Sequence, residues 1–285
     1  MDKLTKLALL FVLANKNNFK HLHDLLDVSI LDITSGSFDT RINKLNVNLD
    51  ELAIKSFVNN LQKHNIKFVT IFDSLYPALL KVCPDAPLVL FYVGNSKLLS
   101  EKMLLSIVGT RTITNYGKTI LEELVPNLKK HTIVSGMAFG VDAYAHKLAI
   151  DNSIQTIAVL PNSCHFPTPK GNASLYKRIL DSGNLVISDH PPSGLTHAGL
   201  FPRRNRIIAG VSPKTIVIEA GIKSGALITA DLAFNYSREV YAYPGNINQY
   251  VSKGCNYLIK NNIAQLIESS DDFLGILKPA DKSEN

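Results

Sequence analysis

Arg203, Arg204 and Arg206 follow Phe201 and Pro202 in the run Phe201-Pro202-Arg203-Arg204-Asn205-Arg206. A guanidinium stays charged at neutral pH and presents a fork of N–H donors that matches phosphate oxygens. Pro202 suits the first position of a helix and Gly210 its end, which predicts a short helix with Ile207 and Ile208 on the buried face. The arginines then occupy the first turn, where exposed cations oppose the helix dipole by about 0.3–1 kcal/mol each. No carboxylate occurs from His190 to Ile218 to offset them, so a polyanion, single-stranded DNA first among them, would turn the liability into an attraction. Two alternatives stay open: pairing with acids distant in sequence, such as Glu219 or Asp231, and a role for Phe201 as a hydrophobic staple ahead of the helix.

Other turns carry residues of related chemistry. Ser106 to Arg111 runs from a strand into a turn without the second glycine of a dinucleotide fingerprint. Gly109 would let backbone approach an anion closely and Arg111 would add a forked donor, or the turn is structural and the arginine merely exposed. Val134 to Asp142 places Gly136 and Gly140 before a helix starting near Asp142, an arrangement of amides that suits an anion. Asp142 and His146 stand four apart on one helix face; a cap with a packed histidine fits them better than an acid–base pair. In Glu219 to Thr229, Ser224 and Thr229 are hydroxyl donors for phosphate or for capping.

The elements that position these turns alternate. Short β-branched runs stand at 68–70, 88–93, 104–108, 132–134, 156–160, 185–187, 215–218 and 240–243, and most of them end at glycine, proline or serine. Segments at 118–129, 142–151, 174–182 and 227–237 between them have helical length. The pattern predicts an α/β fold, an extended Rossmann-like, doubly wound, mostly parallel sheet over 61–285, with ligands beyond the carboxyl ends of its strands. Apolar spacings of three and four over 1–60 predict a small helical, SAM-like domain in front of it, and 280–285 reads as a polar tail.

Composition narrows the function classes. Residues 102–267 hold 17 Lys/Arg against 9 Asp/Glu, so the net charge of +6 belongs to the sheet and not to the helical segment. Two further windows, Lys102 to Leu121 and Asn152 to Leu180, also lack carboxylates. Cys83, Cys164 and Cys255 form no CxxC pair, which points to reduced structural thiols and to neither a disulfide framework nor a metal or other cofactor. The run from Leu7 to Ala14 follows two lysines like a short signal-peptide core, but Asp2 and the downstream sequence favour a buried helix and a cytoplasmic protein.

Taken in order, Gly109-Thr110-Arg111, Ser135 to Asp142, Phe201 to Gly210, Ser224-Gly225-Ala226-Leu227-Ile228-Thr229, Tyr243-Pro244-Gly245 and Gly254 to Ile259 resemble the DNA-processing protein A family (DprA/Smf). The likeness runs from about Asn65 to Ile267. It implies a non-enzymatic, homodimeric protein that binds single-stranded DNA and loads RecA recombinase during natural transformation. It further implies that Arg111, the Gly136/Gly140 turn, Arg203, Arg204 and Arg206 meet phosphates and that Phe201 stacks on a base. Gly109, Phe139, Asn205, Ser224 and Gly225 complete the DNA-binding set, with Lys170 available from a third turn. Phe234, Leu258 and Ile259 stand as the dimer face. The chain departs from the family at Leu160 to Pro167, where glycines usually precede a Tyr-Pro pair, and at Thr196-His197-Ala198, where some members place a lysine. Two other readings compete: a nucleotide phosphoribohydrolase with Glu219 as its acid, and a non-enzymatic interaction protein that docks partners through the helical segment.

Overall fold

The computed structural model describes residues 59–192 and 199–277. The helical domain expected over 1–60, except its last two residues, and the tail at 280–285 lie outside them.

Among the described residues nine strands form one sheet: β1 (Lys67–Thr70), β2 (Val89–Gly94), β3 (Leu104–Val108), β4 (Thr132–Ser135), β5 (Thr156–Val159), β6 (Leu185–Ser188), β7 (Lys214–Val217), β8 (Glu239–Ala242) and β9 (Gln265–Leu266). Their order is β1-β2-β6-β5-β4-β3-β7-β8-β9. β2 runs antiparallel to β1 and β6, and the other pairings are parallel. Among the described residues, the α-helices that follow β1 are α1 (Ala78–Lys81), α2 (Asn115–Leu124), α3 (Val141–Asp151), α4 (Ala173–Asp181), α5 (Leu200–Val211), α6 (Gly225–Asn235), α7 (Lys253–Lys260) and α8 (Ser270–Leu277).

Strand alternation divides the core between the two faces of the sheet. On β3, Leu104 and Val108 join one apolar cluster. Leu105 and Ile107 join the other. Burial of each such side chain is worth about 1.5–3 kcal/mol, so the central strands are fixed from both sides. β9 is two residues long and both are exposed, so no apolar run marked it in the sequence.

From β3 the chain steps through α2, β4, α3, β5 and α4 to β6 in one direction. α5 then returns it to β7 on the other side of β3, and the remaining strands step the opposite way. The order therefore reverses between β3 and β7, which opens a crevice at their carboxyl ends.

α5 departs from expectation at both ends. It begins at Leu200, two residues before Pro202. A proline there is tolerated because the first amides of a helix lack intrahelical acceptors. Gly210 lies inside it, where a Cβ would stand 2.7 Å from Leu80 Cδ1 and 2.9 Å from Cys83 Sγ. The glycine thus serves close packing on α1 rather than a helix stop. Cys83, Cys164 and Cys255 are buried free thiols. Among the described residues no helix is long and apolar enough to cross a membrane.

Candidate nucleic-acid interface

A cleft of about 370 Å³ occupies the crevice between β3 and β7. The turn after β3 supplies Gly109 and Arg111, α5 supplies Phe201, Arg204 and Asn205, and the start of α6 supplies Ser224, Gly225 and Thr229. Ser224 caps α6 by accepting from the Ala226 amide at 3.2 Å, the capping role weighed for it. Asn205 Nδ2 donates to the Gly225 carbonyl at 3.2 Å and ties the two helices together.

Arg111 stands at the rim, exposed, with its guanidinium 5.6 Å from the centroid of the Phe201 ring. It enters no ion pair among the described residues. Its turn is clamped: the Thr110 amide donates to the Glu219 carbonyl at 2.6 Å, and the Thr110 carbonyl accepts from the Val141 amide at 3.1 Å. Gly140 adopts φ +75, and a Cβ there would strike the Thr110 and Arg111 carbonyls. Its conformation and the close crossing both demand glycine. Gly109 likewise serves packing, since a Cβ would stand 2.6 Å from Val141 and 2.9 Å from the Glu219 carbonyl oxygen.

The remaining arginines correct the idea of an uncompensated first turn. Arg203 Nε donates to Asp189 Oδ2 at 2.9 Å, and Arg206 donates to the same oxygen at 2.5 Å. Arg206 also donates to the Asp85 carbonyl, and neither arginine lines the cleft. Pairing with a distant acid was the right alternative; the acid is Asp189 rather than Glu219 or Asp231. Asp189 follows β6 immediately, one residue before the acid-free window begins.

Arg204 reaches the cleft from beneath. It is 5% exposed and donates through one terminal nitrogen to the carbonyls of Gly136 and Val159, each at 2.5 Å, and through Nε to Asn205 Oδ1 at 3.1 Å. Burial pushes its pKa down to about 10, against the nearby charge of Asp142, so it remains a cation at neutral pH. Asp142 is itself buried; desolvation raises its carboxyl, and Arg204 and backbone amides oppose that rise.

At the Gly136/Gly140 turn one amide is already taken by the protein itself. The Gly136 amide donates to Asp142 Oδ2 at 3.2 Å, and a Cβ on Gly136 would collide with the Arg204 guanidinium. Gly140, not Asp142, holds the cap position of α3. His146 is fully buried with Nδ1 2.6 Å from Thr156 Oγ1. That hydroxyl donates to the Ile133 carbonyl at 2.8 Å, so Nδ1 carries the imidazole proton.

Phe139 and Lys170 lie outside the cleft lining. Both are exposed, and the Phe139 ring faces Gly171, where a Cβ would come within 3.0 Å of it. Asn172 Nδ2 donates to the Met137 carbonyl at 2.8 Å and locks their two turns side by side. The divergent loop after β5 folds inward: Leu160 to Cys164 are buried, and Cys164 Sγ donates to the Phe91 carbonyl at 3.1 Å. Thr196-His197-Ala198 lies outside the described residues.

Of the expected dimer face, Leu258 is fully buried in the chain's own core and drops out. Ile259 packs partly against that core, and Phe234 is half exposed. Glu219, the acid of the hydrolase alternative, accepts from the Thr114 amide at 2.9 Å and hydroxyl at 2.6 Å and does not line the cleft.

Residues 67–278 match the family model for DNA recombination-mediator protein A. The chain is 38% identical over 218 residues to DNA processing protein DprA of Streptococcus pneumoniae, covering 75% of this chain and 76% of that one. It is 36% identical over 214 residues to DprA of Bacillus subtilis, covering 74% and 71%. Among solved structures, S. pneumoniae DprA superposes with a TM-score of 0.74 at 36% identity, over 81% of this chain and 79% of that one. A structure describing the single-stranded DNA binding mode of DprA from Helicobacter pylori superposes at 0.65 with 30% identity, over 75% and 97%.

Proposed function

The chain belongs to the DNA recombination-mediator protein A family, and from that premise we propose that it holds single-stranded DNA across the β3–β7 crevice and passes it to a RecA-type recombinase. The observation that carries this reading is Arg111: an exposed guanidinium, in no ion pair among the described residues, over an aromatic face at the sheet's switch point. Arg111 takes a phosphate through its forked donors. Phe201 takes the adjoining base by stacking, which serves any sequence. Arg204 adds positive potential from below, and Ser224, Gly225 and Asn205 shape the far wall. Phe139 and Lys170 extend the track beyond the cleft, while Arg203 and Arg206 brace α5 against Asp189.

The protein works without a catalytic step, as a cytoplasmic homodimer. Phe234 and Ile259 remain its candidate interface residues.

Fluorescence anisotropy of the full chain with labelled oligo-dT over a salt series tests the binding. On a single strand, log affinity falls with log salt by about 0.7 per phosphate neutralised. Arg111→Ala is expected to weaken binding and reduce the slope by about one such increment; unchanged affinity and slope would remove Arg111 from the interface.

A further inference from the structure

We propose that a second cavity, of about 540 Å³ between the start of α2 and the turn after β8, binds the Watson–Crick edge of a guanine, with Glu219 accepting from its paired N–H donors and Tyr116 covering its face. Glu219 is 2% exposed, lines this cavity, and has no cation within ion-pair distance among the described residues. Thr114 contributes two hydrogen bonds to the carboxyl, one to each oxygen. An ionised carboxylate accepts about four, so half of its capacity stays open. Gly117 makes room for the group, because a Cβ there would collide with it.

The cavity has the walls a planar heterocycle needs. The Tyr116 ring is 47% exposed yet fixed in place by its hydroxyl, which donates to the Pro244 carbonyl at 2.6 Å. Asn246 and Gln249 supply amides, and Val251 an apolar surface. A pocket of this volume with one aromatic wall and a few converging polar groups suits a small ligand. Among the common bases, guanine alone presents two adjacent N–H donors to a carboxylate; adenine, cytosine and thymine each pair a donor with an acceptor. Glu219, Tyr116, Asn246 and Gln249 are all absent from the lining of the DNA cleft, so the two sites are separate. They share the turn at 109–114, whose Thr110 amide is held by the Glu219 carbonyl.

Saturation-transfer NMR of the full chain with guanosine, inosine and adenosine tests the assignment. Guanosine is expected to bind, inosine roughly tenfold or more weakly for want of one donor to a charged acceptor, and adenosine not detectably. Tyr116→Ala is expected to weaken guanosine by a similar factor and to leave oligo-dT affinity unchanged. Glu219→Gln should abolish the preference for guanosine over inosine. If that variant fails to fold, the ligand series and Tyr116→Ala still decide. An oligo-dT carrying one dG identifies the source: tighter binding than all-dT assigns the site to a base of the strand, and equal binding to the free nucleoside. Equal binding of the three nucleosides, displacement of guanosine by oligo-dT, or capture of an arginine ester in its place would overturn the proposal.

Discussion

Replacing Arg204 by alanine removes a cation that holds three protein acceptors, the carbonyls of Gly136 and Val159 and the Asn205 side chain, beneath the cleft. It also leaves Asp142, equally buried, without its neighbouring positive charge. Removing one member of a buried charge pair typically costs about 3–5 kcal/mol, against a total stability of about 5–15 kcal/mol. For a domain of this size each kcal/mol moves Tm by about 2–4 °C, so Arg204→Ala should unfold roughly 6–20 °C below the parent. Circular dichroism melts of the two proteins measure this directly. Adding Asp142→Asn should recover part of the loss, because the stranded carboxylate is then gone. Arg111→Ala, whose side chain is exposed, should stay within about 2 °C of the parent. An Arg204→Ala variant with parental Tm would refute the supporting role of that arginine and return it to the direct contacts with DNA.

Two further outcomes follow from the same geometry. Phe201→Ala should weaken oligo-dT binding by about 1–3 kcal/mol, read as a roughly 5- to 150-fold rise in Kd by anisotropy, whereas Phe201→Trp retains it; equal binding by the alanine variant would favour a purely packing role. Burial pushes the His146 pKa down to about 3, so between that value and the ordinary 6.5 the unfolded chain takes up a proton that the folded chain refuses. Stability is therefore complete above pH 6.5 and falls on acidification, by about 3 kcal/mol from pH 7 to 4.5 on this group alone. Asp142, raised by desolvation, protonates more readily when folded and opposes the trend, so the readout is the difference between parent and His146→Gln in urea melts across that range. Parallel pH profiles would contradict it.

β1 to β8 were legible because each is a short apolar run, most with a turn residue behind it, whereas β9 offered none; β3 was placed at 104–108 to the residue. α5 was legible in its buried face, Ile207 and Ile208, but not in its start, since Pro202 marks a first turn without saying which position in it the ring takes. The arginines were misread for a tertiary reason. Asp189 reaches Arg203 and Arg206 only because β6 ends beside α5, and nothing within the acid-free window records that approach. Gly136 looked like an opening for a ligand, and its missing side chain instead admits the Arg204 guanidinium. Arg111 was weak as a sequence signal, because only the fold brings Phe201 beneath it.

The most direct test is the salt dependence of oligo-dT binding by parent and Arg111→Ala, measured side by side on proteins of equal Tm. The expected result is weaker binding by the variant, with a log–log slope shallower by about 0.7. Equal affinities and equal slopes would place the strand elsewhere on the molecule and contradict the account of the β3–β7 crevice.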